Sequence, residues 1–206
     1  MRVLNLGTLS RAQVDSMLAA GKMANRNQIP VILDPVGAGA TSLRTESAHL
    51  LMNKIEVAVL KGNAGEIGVL AGAGGSVKGV DSTGLNGDPA GVAQEYARDA
   101  DATVVISGVR DVVTDGRRTI VVHNGHEMMG ALSGTGCMAA SLIGAFAAVC
   151  PDPVVSSVAA LVSFGIAGER AAQRASGPYS FRTALIDEIV LLGRDDLMQN
   201  AKIGSV

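Results

Sequence analysis

The 206-residue chain reads as an α/β protein: a mainly parallel central sheet layered between helices, with an antiparallel hairpin at one edge. Three observations predict it. Short, mostly β-branched apolar runs at 3–6, 31–33, 57–60 and 104–106 alternate with segments of helical periodicity, the rhythm of strands joined by crossover helices. Hydrophobic residues make up 48% of the chain and aromatics only 2%, so the core must be assembled from Ala, Val, Leu and Ile. The 26 glycines then let backbones close on one another. The hairpin signal, Asp115-Gly116 between the apolar runs 111–114 and 119–122, comes only after the fourth strand.

Taken in order, the first strand leads into a helix over 12–23, and the second strand ends in Asp34 and a glycine-rich turn before a helix over 43–52. The third strand ends in Lys61. Asn63 follows as a helix N-cap with Glu66 three residues on, the spacing of a capping box. Residues 72–88, rich in Gly, Ser and Asp, exceed the usual connection length and are expected to be mobile or ligand-facing. A helix over 89–97 and a strand ending in Ser107-Gly108 lead to the hairpin, which forms the sheet's antiparallel edge. From Gly134 onward the pattern is helical, with breaks at 151–153 and at Gly177-Pro178. No second domain and no internal repeat is evident.

Several classes are excluded. A net charge of −2, from 17 scattered basic and 19 acidic residues, offers no surface for a polyanion, so nucleic acid is not an expected partner. Two cysteines are too few for a disulfide framework and the first residues show no leader pattern, which points to the cytoplasm. The apolar runs 137–149 and 158–167 are interrupted by Ser141, Ser163 and glycines and fall short of the ~20 residues that span a bilayer, so they are expected as buried helices.

Open α/β sheets bind ligands beyond the carboxyl ends of their strands, and residues with useful chemistry gather there. Gly134-Thr135-Gly136-Cys137 opens an apolar helix. Its unpaired N–H groups and dipole favour an anion, and glycine removes the Cβ atoms that hold a phosphoryl group at a distance. Taken alone, the same residues equally suit close packing of the helix on a sheet. Asp34, before Gly37 and Gly39, suits Mg²⁺ held through water; a dinucleotide fingerprint would need glycine where Ser42 stands, and the P-loop pattern is absent. Lys61 and Glu66 suit triphosphate charge and a hydrated Mg²⁺, while helix capping alone also explains Glu66. Ser107 suits a nucleotide phosphate or a simple turn. His123 and His126 lack a third ligand for a zinc site.

Together these residues resemble the hydroxyethylthiazole kinase family, of ribokinase-like fold. The match runs through Leu4-Asn5-Leu6-Gly7-Thr8-Leu9, Leu33-Asp34-Pro35-Val36-Gly37-Ala38-Gly39-Ala40, Lys61-Gly62-Asn63-Ala64-Gly65-Glu66-Ile67, Gly79-Val80-Asp81-Ser82, Thr114-Asp115-Gly116, Asn124-Gly125-His126 and Gly134-Thr135-Gly136-Cys137. The resemblance implies ATP-dependent phosphorylation of the primary alcohol of 4-methyl-5-(2-hydroxyethyl)thiazole with Mg²⁺, in a homotrimer with sites at subunit boundaries. It implies Cys137 as catalytic base where most ribokinase-like enzymes have aspartate, and Gly134, Thr135 and Gly136 as the anion hole bordering the substrate. Lys61 matches the family's nucleotide-binding arginine, a substitution that keeps the charge and loses the bidentate fork. Ser107 matches a nucleotide-contacting hydroxyl, and Asp34 and Glu66 match the acidic positions near Mg²⁺. The family carries a further strand, helix and substrate-contacting methionine ahead of the segment matching Leu4 to Leu9, so residues 1–206 are expected to be a single, N-terminally truncated kinase domain.

Three other readings stay open on the residues: an inactive nucleotide-binding remnant, a ribokinase-like kinase of a pyrimidine or pyridine alcohol, and an NAD-dependent oxidoreductase. Aspartate at position 137 would favour the second of these. The incomplete glycine pattern opposes the third.

Overall fold

A computed structural model describes residues 1–74, 76–78, 81–83 and 88–205. Its main sheet has seven strands: β1 (Arg2–Asn5), β2 (Val31–Asp34), β3 (Val59–Asn63), β6 (Thr103–Ser107), β7 (Asp111–Thr114), β8 (Thr119–Val122) and β9 (Ile203–Ser205), in the order β1-β2-β3-β6-β7-β8-β9. The first four are parallel to their neighbours and the last three antiparallel. A separate antiparallel pair, β4 (Ser76–Lys78) with β5 (Asp81–Thr83), occupies part of the expected loop at 72–88. The rest of that expectation lies partly outside the described residues.

Helices cover both faces because strands buried on both sides must be apolar at consecutive positions. Val31 and Leu33 pack towards α1 (Arg11–Arg26), α2 (Ser42–Lys54), α3 (Ala64–Leu70) and α4 (Pro89–Ala100). Ile32, between them, packs on the opposite side, where α5 (Thr135–Ala147), α6 (Pro153–Arg174) and α7 (Pro178–Leu191) lie. Phe181 and Leu185 of α7 are fully buried on that second face. Each helix starts as local chemistry requires. Ser10, Thr41, Asn63, Asp88 and Asp152 accept N–H groups from the first turns of α1, α2, α3, α4 and α6, and proline opens α4, α6 and α7.

One expectation holds in a longer helix, and one changes. The 158–167 run belongs to α6, a helix of 22 residues, long and apolar enough by composition to cross a membrane, yet mostly buried inside the protein. It is the core helix of the second layer. The hairpin β7–β8 is not the edge of the sheet either: a short helix α8 (Arg194–Asn200) returns the chain, and β9 pairs with β8 outside it.

Asn124 latches this last strand. Its Nδ2 donates to Asn200 O at 2.9 Å and to Glu169 Oε1 at 3.1 Å, while its Oδ1 accepts from Lys202 N at 2.7 Å. Glu169 also accepts from Gly125 N and from Lys202 Nζ, at 2.9 and 2.8 Å. The Asn124-Gly125-His126 motif thus ties α6, β8 and the C-terminal strand into one network, and His126 Nδ1 caps the 3-10 turn Glu127–Met129. Replacing the buried Asn124 by alanine removes its bonds to Asn200 O, Lys202 N and Glu169 at once, so Asn124→Ala is expected to cost about 1–3 kcal/mol in urea unfolding. It should also abolish slow hydrogen exchange of the β8–β9 amides; retained protection would mean that the ladder alone holds β9.

Candidate active site

The side-chain period of two decides which strand residues meet. Val3, Ile32, Val59 and Val105 face the α5–α7 layer, so Asn5, Asp34, Lys61 and Ser107, each two residues further on, share that face. Parallel register brings their strand ends together: Asn5 pairs with Asp34 and Asn63 with Ser107. Three of the sequence-predicted residues, Asp34, Lys61 and Ser107, therefore converge. Asn5 joins them, although its chemistry passed unnoticed in the sequence; the available signal was a polar residue ending an apolar run level with Asp34.

The amino end of α5 arrives over this row. Gly134, its N-cap, has φ of +97° and gives the first turn no side-chain hydrogen bond, and a Cβ there would meet nothing within 4 Å. The left-handed turn thus needs glycine and leaves the first N–H groups open to a ligand. A Cβ on Gly136 would stand 2.9 Å from Lys61 Nζ and would push the ammonium away from the helix end, whereas glycine lets it stay there. Thr135 differs from its neighbours. Its hydroxyl donates back to Met129 O at 3.0 Å and Leu132 O at 3.3 Å, which anchors the preceding loop and leaves only its backbone for an anion.

Asp34 is buried, 1% exposed. Its Oδ2 accepts from Asn5 Nδ2 at 2.7 Å and its Oδ1 stands 3.9 Å from Lys61 Nζ. Burial pushes its pKa up from 3.8 to about 6; the Lys61 charge and the contacts with Cys137 and Asn5 oppose this, and Glu66 adds to it. Cys137 Sγ accepts from the same Asn5 Nδ2 at 3.2 Å. Asp111, at the start of β7, is a further acid near Lys61: burial raises its pKa to about 6, against a Gly108 N–H donated at 3.0 Å and the lysine charge. As the first residue of a hairpin strand it carried no signal of its own.

Glu66 completes a capping box. Asn63 Oδ1 accepts from Glu66 N at 2.9 Å, and Glu66 Oε2 accepts from Asn63 N at 2.8 Å. Its other oxygen accepts from Gly37 N at 2.7 Å, which ties the turn after Asp34 to α3. Arg44 secures the same turn from α2, donating to Leu6 O, Val36 O and Gly7 O at 2.6, 2.7 and 2.9 Å. Ser107 Oγ makes a long contact of 3.4 Å to Gly62 O. Among the described residues no three His, Cys, Asp or Glu side chains are grouped to hold a metal. Asp34 and Glu66 offer two carboxylates, a donor set that suits Mg²⁺ retained through water and substrate phosphates.

Next to Cys137 lies an open hollow of about 340 Å³ with apolar walls from Met138, Leu142 and Ile189. The larger cavity, about 820 Å³, sits at the other end of the strands against Val31, Val59 and Cys150 and contacts none of these residues.

Comparison with known proteins agrees with this geometry. Residues 2–195 match the model of the Hydroxyethylthiazole kinase family. The chain is similar to the hydroxyethylthiazole kinase of Methanocella arvoryzae, 61% identical over 98% of this chain and 76% of that protein, and to that of Desulforudis audaxviator, 52% identical over 98% and 74%. Among solved structures, hydroxyethylthiazole kinase from Pyrococcus horikoshii superposes with a TM-score of 0.89 at 41% identity, covering 99% of this chain and 76% of that one. Pyridoxal kinase from Staphylococcus aureus in complex with ADP gives 0.60 at 20% identity, covering 82% and 62%, a likeness of ribokinase-like fold alone.

The buried acid makes stability depend on pH in a predictable direction. The folded pKa of Asp34 lies above its ordinary value, so the fold favours the protonated acid; its contribution is fully present below 3.8 and is lost as pH rises through about 6. Over that interval, at ~1.4 kcal/mol per pH unit, ionisation costs the fold about 3 kcal/mol. Asp34→Asn, unfolded in urea with a metal chelator present, should gain stability relative to the parent between pH 4 and about 6.5 and hold that gain above it. A difference flat with pH would refute the burial argument.

Proposed function

Because the chain belongs to the Hydroxyethylthiazole kinase family, whose reaction is ATP-dependent phosphorylation of the thiazole alcohol, we propose that the transfer occurs where the amino end of α5 meets the row Asn5, Asp34 and Lys61. The observation that carries this is the approach of Gly136 to Lys61: helix N–H groups and a buried ammonium converge where a Cβ would stand 2.9 Å from Nζ. Two sources of positive potential then face one point from opposite sides. That is what a transferring phosphoryl group, with charge spread over its equatorial oxygens, requires.

In this reading Gly134, Thr135 and Gly136 bind the group through backbone amides, Lys61 supports it from below, and Ser107 meets the nucleotide phosphates at the end of β6. The alcohol oxygen of the thiazole attacks the γ-phosphorus as the bond to the ADP oxygen breaks, and its proton passes to the Cys137 sulfur, which takes it as a thiolate and becomes the thiol. The apolar hollow beside Cys137 supports this placement, since it offers an aromatic ring a wall of Met138, Leu142 and Ile189. Bound Mg²⁺ neutralises phosphate charge; Asp34 and Glu66 would hold it through water, and the proximity that lets Glu66 raise the Asp34 pKa supports their acting as a pair. The homotrimer belongs to the same proposal: α7 exposes Tyr179, Ile186 and Val190 along one stripe, apolar surface of the kind buried between subunits. Two cysteines without a disulfide suit a reducing cytoplasm.

Transfer of labelled γ-phosphate from MgATP to hydroxyethylthiazole tests the reading directly; ATP binding without labelled alcohol would overturn it. The structure also ranks two variants. Gly136→Val drives a side chain into the Lys61 ammonium and closes the anion turn, so turnover should fall by ~10²–10³, the cost of losing a preorganised oxyanion donor. Cys137→Ser keeps a small polar group and should lose less, because positioning and charge outweigh the base in a largely dissociative transfer. Parental turnover in Gly136→Val would refute the anion cradle.

A further inference from the structure

The three hydrogen bonds of the Asn5 side chain form a unit with no role in the reaction so far. Its Oδ1 accepts from Gly7 N at 2.8 Å, and its Nδ2 donates to Asp34 Oδ2 at 2.7 Å and to Cys137 Sγ at 3.2 Å. The amide can sit only this way round. Reversed, its NH₂ would oppose the Gly7 N–H and its oxygen would oppose a carboxylate. Both amide hydrogens are therefore committed, one to each of the two groups that the proposed reaction needs. The neighbour is shaped to the same end: a Cβ on Gly7 would stand 2.8 Å from Asn5 Oδ1, so residue 7 must lack a side chain for the backbone N–H to reach the amide.

Asn5–Cys137 joins a strand end of the sheet to the first turn of α5, where Asp34, at the end of the next strand, also meets Cys137. The other side-chain bonds at that helix end run to the preceding loop or along the helix itself. Helix α5 otherwise meets β1 and β2 through apolar packing, which is non-directional and leaves the sulfur free to shift with the helix.

We infer that Asn5 is a positioning residue for phosphoryl transfer, holding the Cys137 sulfur and the Asp34 carboxylate in one fixed geometry beneath the anion turn. The inference rests on the reading of Cys137 as the proton acceptor. Losing the Asn5 bridge lets the sulfur drift from the alcohol, and a displacement of ~1 Å in a reacting group costs roughly 10²-fold in rate. Nucleotide binding, which draws on Lys61, Ser107 and the α5 amides, stays intact.

A double-mutant cycle on the full chain separates this from a merely structural role. Asn5→Ala is expected to lower kcat by about ten- to a hundredfold while KM for ATP stays within about threefold. In a Cys137→Ala background the same substitution should lower kcat several-fold less than in the parent, because only the contact with Asp34 remains for it to remove. Gly7→Ala, which pushes on the Asn5 amide from outside the cluster, should lower kcat in the parent and lower it less in the Cys137→Ala background. Should Asn5→Ala melt early, Gly7→Ala carries the cycle by itself, because it disturbs the amide without adding a charge beside Asp34. An Asn5 effect that persists in full without the Cys137 sulfur overturns the inference and leaves the base reading standing. Parental kcat in Cys137→Ala alone overturns the base reading, and this inference with it.

Discussion

Parallel pairing of β1, β2, β3 and β6 is the constraint on which everything else depends. Parallel neighbours run to the same end of the sheet, and a period of two sends alternate residues to one face, so Asn5, Asp34 and Lys61 line up and Ser107 follows two residues further along β6, without any of them being adjacent in sequence. An antiparallel pairing would have scattered them to both ends of the sheet. With the row set, a single helix end above it completes a site, and the loops that follow the strands are pinned by charged side chains bonding to backbone. Arg44 and Glu66 fasten the turns after β1 and β2, so the row cannot splay.

This arrangement is built against the interest of stability. Asp34 and Lys61 are both nearly inaccessible, 3.9 Å apart, and burial outweighs the lysine's attraction in the balance that sets the Asp34 pKa. A buried pair of this kind gains little over a well-packed apolar pair. The same dry surroundings strengthen every interaction with an incoming phosphate, because water no longer screens the ammonium and the helix amides. Glycine at 134 and 136 acts in the same direction, giving up helix propensity to let the backbone and the ammonium reach one point.

Much of this was legible beforehand, and the reasons differ by element. The hairpin strands 111–114 and 119–122 match β7 and β8 residue for residue, because short β-branched runs flank the Asp115-Gly116 turn. The third strand was read two residues early, since Val57 is buried but not in the ladder: hydrophobicity reports burial, not pairing. Strand β9 left no trace, being three residues that pair with β8 and are bonded through Lys202 to Asn124, some eighty positions away. Glu66 was legible as a cap because capping is local; its bond to Gly37 was not, because that turn comes from another strand.

The sequence by itself determined the alternation of strands and helices, the caps, the glycine turn before Cys137 and the family, because these rest on local spacing and on residue types that few other folds require in that order. Tertiary structure alone decided which side chains meet. The Asn5 amide between Asp34 and Cys137, the lysine beneath Gly136 and the Thr135 hydroxyl turned away from the anion turn depend on the directions of hydrogen bonds between distant segments. Such directions exist only once sheet register and helix approach have fixed where each atom stands.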